Sequence, residues 1–139
     1  MLSLKIHNIM DYVIALVLIL SPFLFGFSDV EVARNVYLVL GIGLAGYSLI
    51  TKYYYSVAKI IPVGIHMILD VLAGIVLVFA PYIFDYRISI NQGQMIFHVV
   101  MGLGAITLVA ITRTRTERAK SIEELSITSG ANIRQRRHV

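Results

Sequence analysis

The sequence predicts an all-α integral membrane protein, a four-helix bundle made of two tandem two-helix repeats. The chain of 139 residues is 58% hydrophobic and only 14% charged, whereas soluble domains carry about 25% charged residues. Four long apolar stretches follow one another, and the pattern of the first two recurs in the last two. A small soluble domain cannot hide this much apolar surface, so lipid is the predicted solvent.

The apolar stretches are each close to the ~20 residues that a helix needs to cross a ~30 Å hydrocarbon layer. They cover about residues 8–27, 35–51, 60–84 and 95–112. The period-two alternation of β-barrel strands is missing from them, and helices satisfy their own backbone groups in lipid. Residues 1–112 are therefore predicted to form a four-span transmembrane domain. The first stretch is expected to be a retained helix, because a cleaved signal peptide would not recur in mid-chain.

Basic residues near the predicted helix ends indicate the orientation of the chain. One side of the membrane receives Lys5, Lys52, Lys59, Arg113, Arg115 and Arg118, and the other receives Arg34 and Arg87 beside Asp29, Glu31 and Asp85. The positive-inside rule then places both termini in the cytoplasm, with the chain in a bacterial inner membrane. Segment 113–139, which has seven Lys or Arg and three Glu, is predicted to be a basic, partly disordered cytoplasmic tail.

An internal repeat is the most informative feature of the chain. Residues 7–27 align with residues 66–86 at an offset of 59, with seven of 21 positions identical. The offset then becomes 61, and GIGLAGYSLITK (41–52) matches GLGAITLVAITR (102–113). Repeat one thus covers about 7–52 and repeat two about 66–113. Because each unit contains two spans, the expected pseudo-twofold axis runs along the membrane normal.

A proline-centred motif closes the first helix of each repeat. Its residues are Ser21, Pro22 and Phe23 in the first copy and Ala80, Pro81 and Tyr82 in the second. Proline lacks an N–H and clashes with the preceding turn, so the motif is predicted to end or kink the helix. It resembles the SPW repeat of small bacterial membrane proteins, although Phe23 and Tyr82 replace tryptophan and Ala80 replaces serine. The resemblance implies architecture and membrane location, and it supplies no catalytic residues.

Two His-x-x-x-Asp pairs form the candidate polar or ion site: His7 with Asp11, and His66 with Asp70. The i, i+4 spacing places each pair on one helix face. If both helices face the pseudo-twofold axis, the four groups converge and are able to bind a hard or borderline divalent metal or to relay protons. The alternative interpretation is structural. In it, His7 lies at the wet membrane edge near Lys5, and the aspartates accept hydrogen bonds or neutralise lysines.

Other chemistry-bearing residues are given packing roles. His98, whose counterpart in the first repeat is Tyr37, is expected to pack or to lie at the membrane interface. Five glycines fall within apolar spans with no preceding strand, so a nucleotide-binding loop is excluded. Small residues let membrane helices approach closely, and helix packing within the bundle or between protomers is predicted for Gly41, Gly43, Gly46, Gly102 and Gly104.

The sequence favours a non-enzymatic scaffold or accessory membrane subunit. The chain has no cysteine, which excludes disulfides and thiolate chemistry, and it has no HExxH motif. The expected partners are the lipid bilayer and either a second copy or another membrane protein, and nucleic acid is not expected. The alternative is a small transporter or ion- or proton-conducting protein centred on the His/Asp pairs. A third class is a redox protein; no cofactor is predicted, with metal or haem left open.

Overall fold

The computed structural model describes residues 2–112 and Ser126, and in this part of the chain each predicted apolar stretch forms an α-helix. The elements are α1 (Leu4–Leu24), α2 (Glu31–Ile50), α3 (Val63–Ile83) and α4 (Gln92–Ile111), with a short 3-10 helix at Arg87–Ser89. All four α-helices are long and apolar enough to cross a membrane, and residues 2–112 contain no strand. The predicted all-α, four-helix membrane fold is confirmed. The predicted tail 113–139 lies, Ser126 apart, outside the described residues.

The helices α2 and α4 begin earlier than the apolar stretches indicate, at Glu31 and Gln92. At the start of α4 the Asn91 side chain accepts the Gln94 backbone N–H, and the Gln94 side chain accepts the Asn91 N–H, both at 2.9 Å. This reciprocal capping box satisfies two backbone donors that would otherwise lack a partner. Polar residues thus form the first turns, and each of these helices reaches 20 residues.

The proline motifs end α1 and α3 in the same way. Pro22 and Pro81 lie buried within the last turns of their helices. The backbone N–H of Phe27 donates to the Pro22 carbonyl at 2.9 Å, and that of Tyr86 donates to the Pro81 carbonyl at 3.1 Å. This is the hydrogen bond of a Schellman motif, which closes the helix and turns the chain sharply. The motif therefore sets where each helix hairpin reverses.

The residues beside each proline divide between the inside and the outside of the bundle. Ser21 and Ala80 are fully buried, and the Ser21 hydroxyl donates to the Val17 carbonyl one turn earlier. Phe23 and Tyr82 are 58% and 59% exposed. Two aromatic rings thus face outward at the helix ends, which is where interfacial rings are found in membrane proteins.

The bundle consists of two helix hairpins, α1–α2 and α3–α4, that meet along α2 and α3. Glycine allows close approach within each hairpin. A Cβ added to Gly74 would lie 2.7 Å from the Gly102 carbonyl oxygen, and one added to Gly41 would lie 3.0 Å from the Ala15 carbonyl oxygen. A side chain at Gly74 would force the neighbouring backbone to shift, and one at Gly41 would force its neighbours to give way, so glycine allows the closest approach at both positions.

The remaining predicted packing glycines are placed differently. Among the described residues, no atom lies within 4 Å of a Cβ built on Gly43, Gly46 or Gly104. Helix contacts inside this bundle are therefore made by Gly41 and Gly102, together with Gly74, which the sequence interpretation did not select.

Large apolar side chains cover the outside of the bundle. Leu24 is 73% exposed, Val39 69% and Ile42 61%, and they are typical of many others. Soluble monomers seldom expose apolar patches of more than a few hundred Å². A lipid-facing surface with this composition is stable, and the chain is accordingly a multi-pass membrane protein.

Candidate functional site

Both His-x-x-x-Asp pairs meet in the first two turns of α1 and α3. One ligand atom from each of His7, Asp11, His66 and Asp70 lies within 4.8 Å of all the others. The side chains are buried, with relative exposures of 0%, 2%, 0% and 6% in that order. We call this group the His/Asp centre. The complete burial of His7 differs from the water-exposed position assumed in the structural interpretation.

Each histidine contacts the carboxylates of both repeats. The Nε2 atom of His7 lies 3.4 Å from Oδ1 of Asp11 and 3.2 Å from Oδ2 of Asp70. The Nε2 atom of His66 lies 3.2 Å from Oδ2 of Asp11 and 3.2 Å from Oδ2 of Asp70. The i, i+4 spacing aligns the members of a pair on one helix, and the side chains of the two pairs meet between the first turns of α1 and α3.

Two threonines hold the outer nitrogens of the imidazoles. The Nδ1 atom of His7 lies 2.9 Å from the Thr112 hydroxyl, and that of His66 lies 2.8 Å from the Thr51 hydroxyl. Each hydroxyl donates its own proton, at 2.6 Å, to the carbonyl four residues earlier in its helix. A hydroxyl has only one proton, so each threonine oxygen accepts from an Nδ1–H. Both Nε2 atoms therefore face the carboxylates.

The threonine contacts cross between the repeats. Thr112, at the end of repeat two, contacts His7 of repeat one, and Thr51, at the end of repeat one, contacts His66 of repeat two. A backbone hydrogen bond from Leu2 to the Ile111 carbonyl, at 2.7 Å, ties the start of the chain to the end of α4. The centre therefore exists only where the two repeats meet.

The two carboxylates have different surroundings. The Tyr47 hydroxyl donates to Oδ1 of Asp70 at 2.7 Å, whereas the counterpart of Tyr47 in repeat two is Leu108. Oδ2 of Asp11 and Nε2 of His66 are buried, and neither has a hydrogen-bond partner among the described residues. Buried polar atoms without hydrogen bonds are rare, and these two atoms lie 3.2 Å from each other.

An aromatic ring closes the centre on the side of the α2–α3 connection. The ring centroid of Tyr53 lies 4.7 Å from that of His66 and 6.0 Å from that of His7, and the residue is 3% exposed. Burial raises the pKa of the Tyr53 hydroxyl, which therefore stays neutral. The same connection is tied to α1, because the Tyr55 backbone N–H donates to the Asn8 side chain at 3.2 Å.

A small cavity adjoins the centre on the side of the bundle interior. It has a volume of about 20 Å³ and is lined by apolar side chains together with Asp11, Tyr47 and Asp70. A space of this size holds about one water molecule.

His98 lies at the opposite end of the bundle and does not join the centre. Its Nδ1 donates to the Gln94 carbonyl at 2.7 Å, so its Nε2 accepts the Tyr86 hydroxyl at 3.0 Å. Burial raises the pKa of Tyr86, and the phenol remains a donor. The ring centroid of His98 lies 4.8 Å from that of Tyr37 and 5.7 Å from that of Phe27. Both nitrogens are satisfied, which is typical of a packing residue.

Comparison with known protein families identifies the architecture. A family model described as the SPW repeat domain matches residues 5–112. The chain belongs to the SPW repeat family. The match includes all four helices of this SPW repeat protein, both proline motifs and every residue of the His/Asp centre. No curated protein and no solved structure matches the chain.

Sequence reasoning selected the four members of the centre in this SPW repeat protein but missed their supports. Thr51 and Thr112 occupy equivalent positions at the offset of 61, and this identity was a signal that could have found them. Tyr47 gave no such signal, because its counterpart is Leu108. Tyr53 lies in the α2–α3 connection, and its position over the imidazoles depends on the path of that connection.

Proposed function

We propose that this SPW repeat protein is a non-enzymatic, ion-binding membrane protein that holds a cation at the His/Asp centre. The observation that carries the proposal is the convergence of one buried His/Asp pair from each repeat, in which an imidazole nitrogen and a carboxylate oxygen make no hydrogen bond within the described residues. Ionisable groups within membrane spans are costly and are found where they serve ion or substrate pathways.

Charge supports a cation as the ligand. Asp11 and Asp70 each carry a negative charge when ionised, and their ion-pair partners within residues 2–112 are His7 and His66, which carry a positive charge only when protonated. Two carboxylates buried together repel each other, so positive charge between them is needed for both to stay ionised. A cation beside the Nε2 atoms supplies that charge and gives both unpaired atoms a partner.

The small volume of the site supports a binding role without catalysis. The cavity beside the centre has about 20 Å³, which admits about one water and no organic substrate. The scaffold function favoured by the sequence needs no convergence of ionisable groups. It remains a second proposal, supported by Gly43, Gly46 and Gly104, which leave helix surface free for close contact with a second copy or another membrane protein.

The proposed location is a bacterial inner membrane, with both termini in the cytoplasm. Lys5, Lys52 and Lys59 support this orientation, since they fall at the end of the bundle that contains the centre. In this orientation the cation enters from the cytoplasmic side. The lipid bilayer is the principal partner, and nucleic acid is not a proposed ligand.

The test is cation-dependent thermal stability of the purified protein in nanodiscs. Wild type and the double variant Asp11→Asn/Asp70→Asn are melted in a panel of chloride salts that includes sodium, potassium, magnesium, calcium, manganese and zinc. A ligand at 100 times its Kd stabilises the folded state by about 2.7 kcal/mol. At least one cation should therefore raise the melting temperature of wild type by several degrees, without effect on the double variant.

Asp29→Asn is the matched control, since Asp29 is an exposed carboxylate at the opposite end of the bundle. It should respond to every salt as wild type does. Equal responses of all three proteins to all cations would contradict the proposal and leave the scaffold function.

A further inference from the structure

We infer that the cation is a divalent first-row transition metal ion, bound through Nε2 of His7 and His66 and through carboxylate oxygens of Asp11 and Asp70. Thr51 and Thr112 are its positioning residues. This inference rests on the proposed function and deepens it by naming the class of cation.

The spacing of the ligand atoms fits a metal of this size. Zinc binds imidazole nitrogen at about 2.0–2.1 Å and carboxylate oxygen at about 2.0–2.2 Å, usually in a tetrahedron. Bonds of this length place neighbouring ligand atoms about 3.3–3.4 Å apart by tetrahedral geometry. The four N···O distances of the centre are 3.2, 3.2, 3.2 and 3.4 Å. The four N···O distances match this spacing, and the four ligand atoms lie within 4.8 Å of one another, so a bound metal ion would draw the side chains closer together.

The unpaired atoms point to a metal in place of direct hydrogen bonds. Nε2 of His66 and Oδ2 of Asp11 lie 3.2 Å apart, yet neither has a hydrogen-bond partner in the described part of the chain. The two atoms are close enough for a hydrogen bond but are not aligned for one. This arrangement is that of two neighbouring ligands of a single metal ion. Both residues are at least 98% buried, so bulk water does not satisfy these atoms.

The donor set selects the class of metal. Calcium and magnesium prefer shells made of oxygen ligands, whereas imidazole suits zinc, copper, iron and nickel, and carboxylate also suits manganese. Two neutral imidazoles and two carboxylates carry a formal charge that a divalent cation balances. A monovalent ion would leave the buried site charged, which is unfavourable in a membrane protein.

The hydroxyl contacts make the imidazoles ready to bind. Since Thr112 and Thr51 accept the Nδ1–H of His7 and His66, the Nε2 atom of each ring faces the centre. The Nε2–H of His7 donates to Oδ2 of Asp70 at 3.2 Å, and a metal ion would take the place of that proton. Such partners orient metal-binding histidines, and their loss typically lowers metal affinity 10- to 100-fold. Tyr47 occupies Oδ1 of Asp70, so the oxygen of that carboxylate that faces the centre is Oδ2, which also contacts Nε2 of His7 at 3.2 Å.

The test is a cobalt and zinc titration of the metal-free protein in nanodiscs, with magnesium and calcium in parallel. Wild type should bind one Co²⁺ or Zn²⁺ per chain, at least tenfold more tightly than either alkaline-earth ion. The double variant Thr51→Val/Thr112→Val should bind Co²⁺ about 10- to 100-fold more weakly. Thr51→Ser/Thr112→Ser, which keeps both hydroxyls, should restore the affinity. Thr107→Val, at an exposed threonine of α4, should match wild type.

Unchanged Co²⁺ affinity in the valine double variant, or affinity no greater than that for calcium, would overturn the inference. If the inference fails in this way but another cation still stabilises the protein, and does so only when Asp11 and Asp70 are present, the proposed function stands. Loss of every cation effect that depends on these aspartates would overturn both.

A measurement on the unmodified protein covers the case in which the valine variants fail to fold. Pulsed electron paramagnetic resonance of the Cu²⁺-loaded wild type detects the remote nitrogens of bound imidazoles. Signals from two imidazoles, each with a protonated remote nitrogen, are expected. Signals from fewer than two would overturn the inference.

Discussion

The Thr112 hydroxyl accepts a hydrogen bond of 2.9 Å from the His7 imidazole. These two residues belong to different repeats and lie 105 positions apart in the sequence. In the corresponding contact, Thr51 of repeat one accepts a hydrogen bond from His66 of repeat two. Each repeat thus orients the histidine of the other. The duplication has produced one shared centre at the junction, in which ligand atoms and their supports are contributed crosswise.

Replacing Tyr47 by phenylalanine should destabilise the protein. The variant removes the 2.7 Å hydrogen bond to Oδ1 of Asp70, and hydrogen bonds to charged groups contribute about 1.5–3 kcal/mol. Chemical denaturation in detergent should show a loss of this size. Tyr12→Phe is the control, because its 3.3 Å bond to the Tyr55 carbonyl is exposed. Equal losses in both variants would contradict the assigned role of Tyr47.

Replacing Tyr53 by alanine should speed release of the bound ion. The ring covers both imidazoles, and lowering the barrier to exit by ~1.4 kcal/mol would raise the rate about tenfold. Stopped-flow extraction with an excess chelator measures this rate. Tyr54→Ala, at a residue that is 72% exposed, should leave it unchanged. If both variants release the ion at the wild-type rate, exchange does not pass Tyr53.

Replacing Asp85 by glycine should stabilise the turn after α3. Asp85 has φ +53°, and its counterpart Gly26 has φ +68°. The left-handed region costs a residue with a Cβ roughly 1–2 kcal/mol, and glycine relieves that strain. A higher melting temperature is expected for Asp85→Gly and a lower one for the reciprocal Gly26→Asp. Opposite shifts would contradict the proposed equivalence of the two turns.

Replacing Gly102 by alanine should separate α3 from α4. The added methyl group would collide with the Gly74 carbonyl and with the Val78 side chain, and overpacking of this kind typically costs about 1–3 kcal/mol. Gly104→Ala is the matched control two residues away, with no described atom within 4 Å of its Cβ position. Denaturation midpoints should fall for the first variant and not for the second.

The fold could be predicted because its causes are distributed along the whole chain. Hydropathy identified all four spans, since lipid imposes the same apolar requirement on every residue that faces it. The ends of the helices were predicted less accurately, because polar capping residues such as Asn91 and Gln94 extend a helix beyond its apolar run. The glycines show the same limit: composition cannot tell Gly102, at which an added Cβ would collide with another helix, from Gly104, whose Cβ position has no neighbouring described atom within 4 Å.

The members of the centre could be predicted, but their convergence could not. The duplicated i, i+4 spacing selected His7, Asp11, His66 and Asp70, while whether α1 faces α3 depends on three-dimensional packing. The unpaired atoms and the Tyr47 contact depend on side-chain positions within a few tenths of an ångström. These details decide between a structural cluster and an ion site.

X-ray absorption at the zinc edge, recorded on the full-length protein loaded with one equivalent of Zn²⁺ in nanodiscs, tests the central claim most directly. We expect two imidazole nitrogens and two or three oxygens at about 2.0–2.2 Å, with outer-shell scattering from both rings. The same spectrum of Asp11→Asn/Asp70→Asn should lose these features. An oxygen-only shell without imidazole scattering in the wild type would place the metal elsewhere and contradict the account.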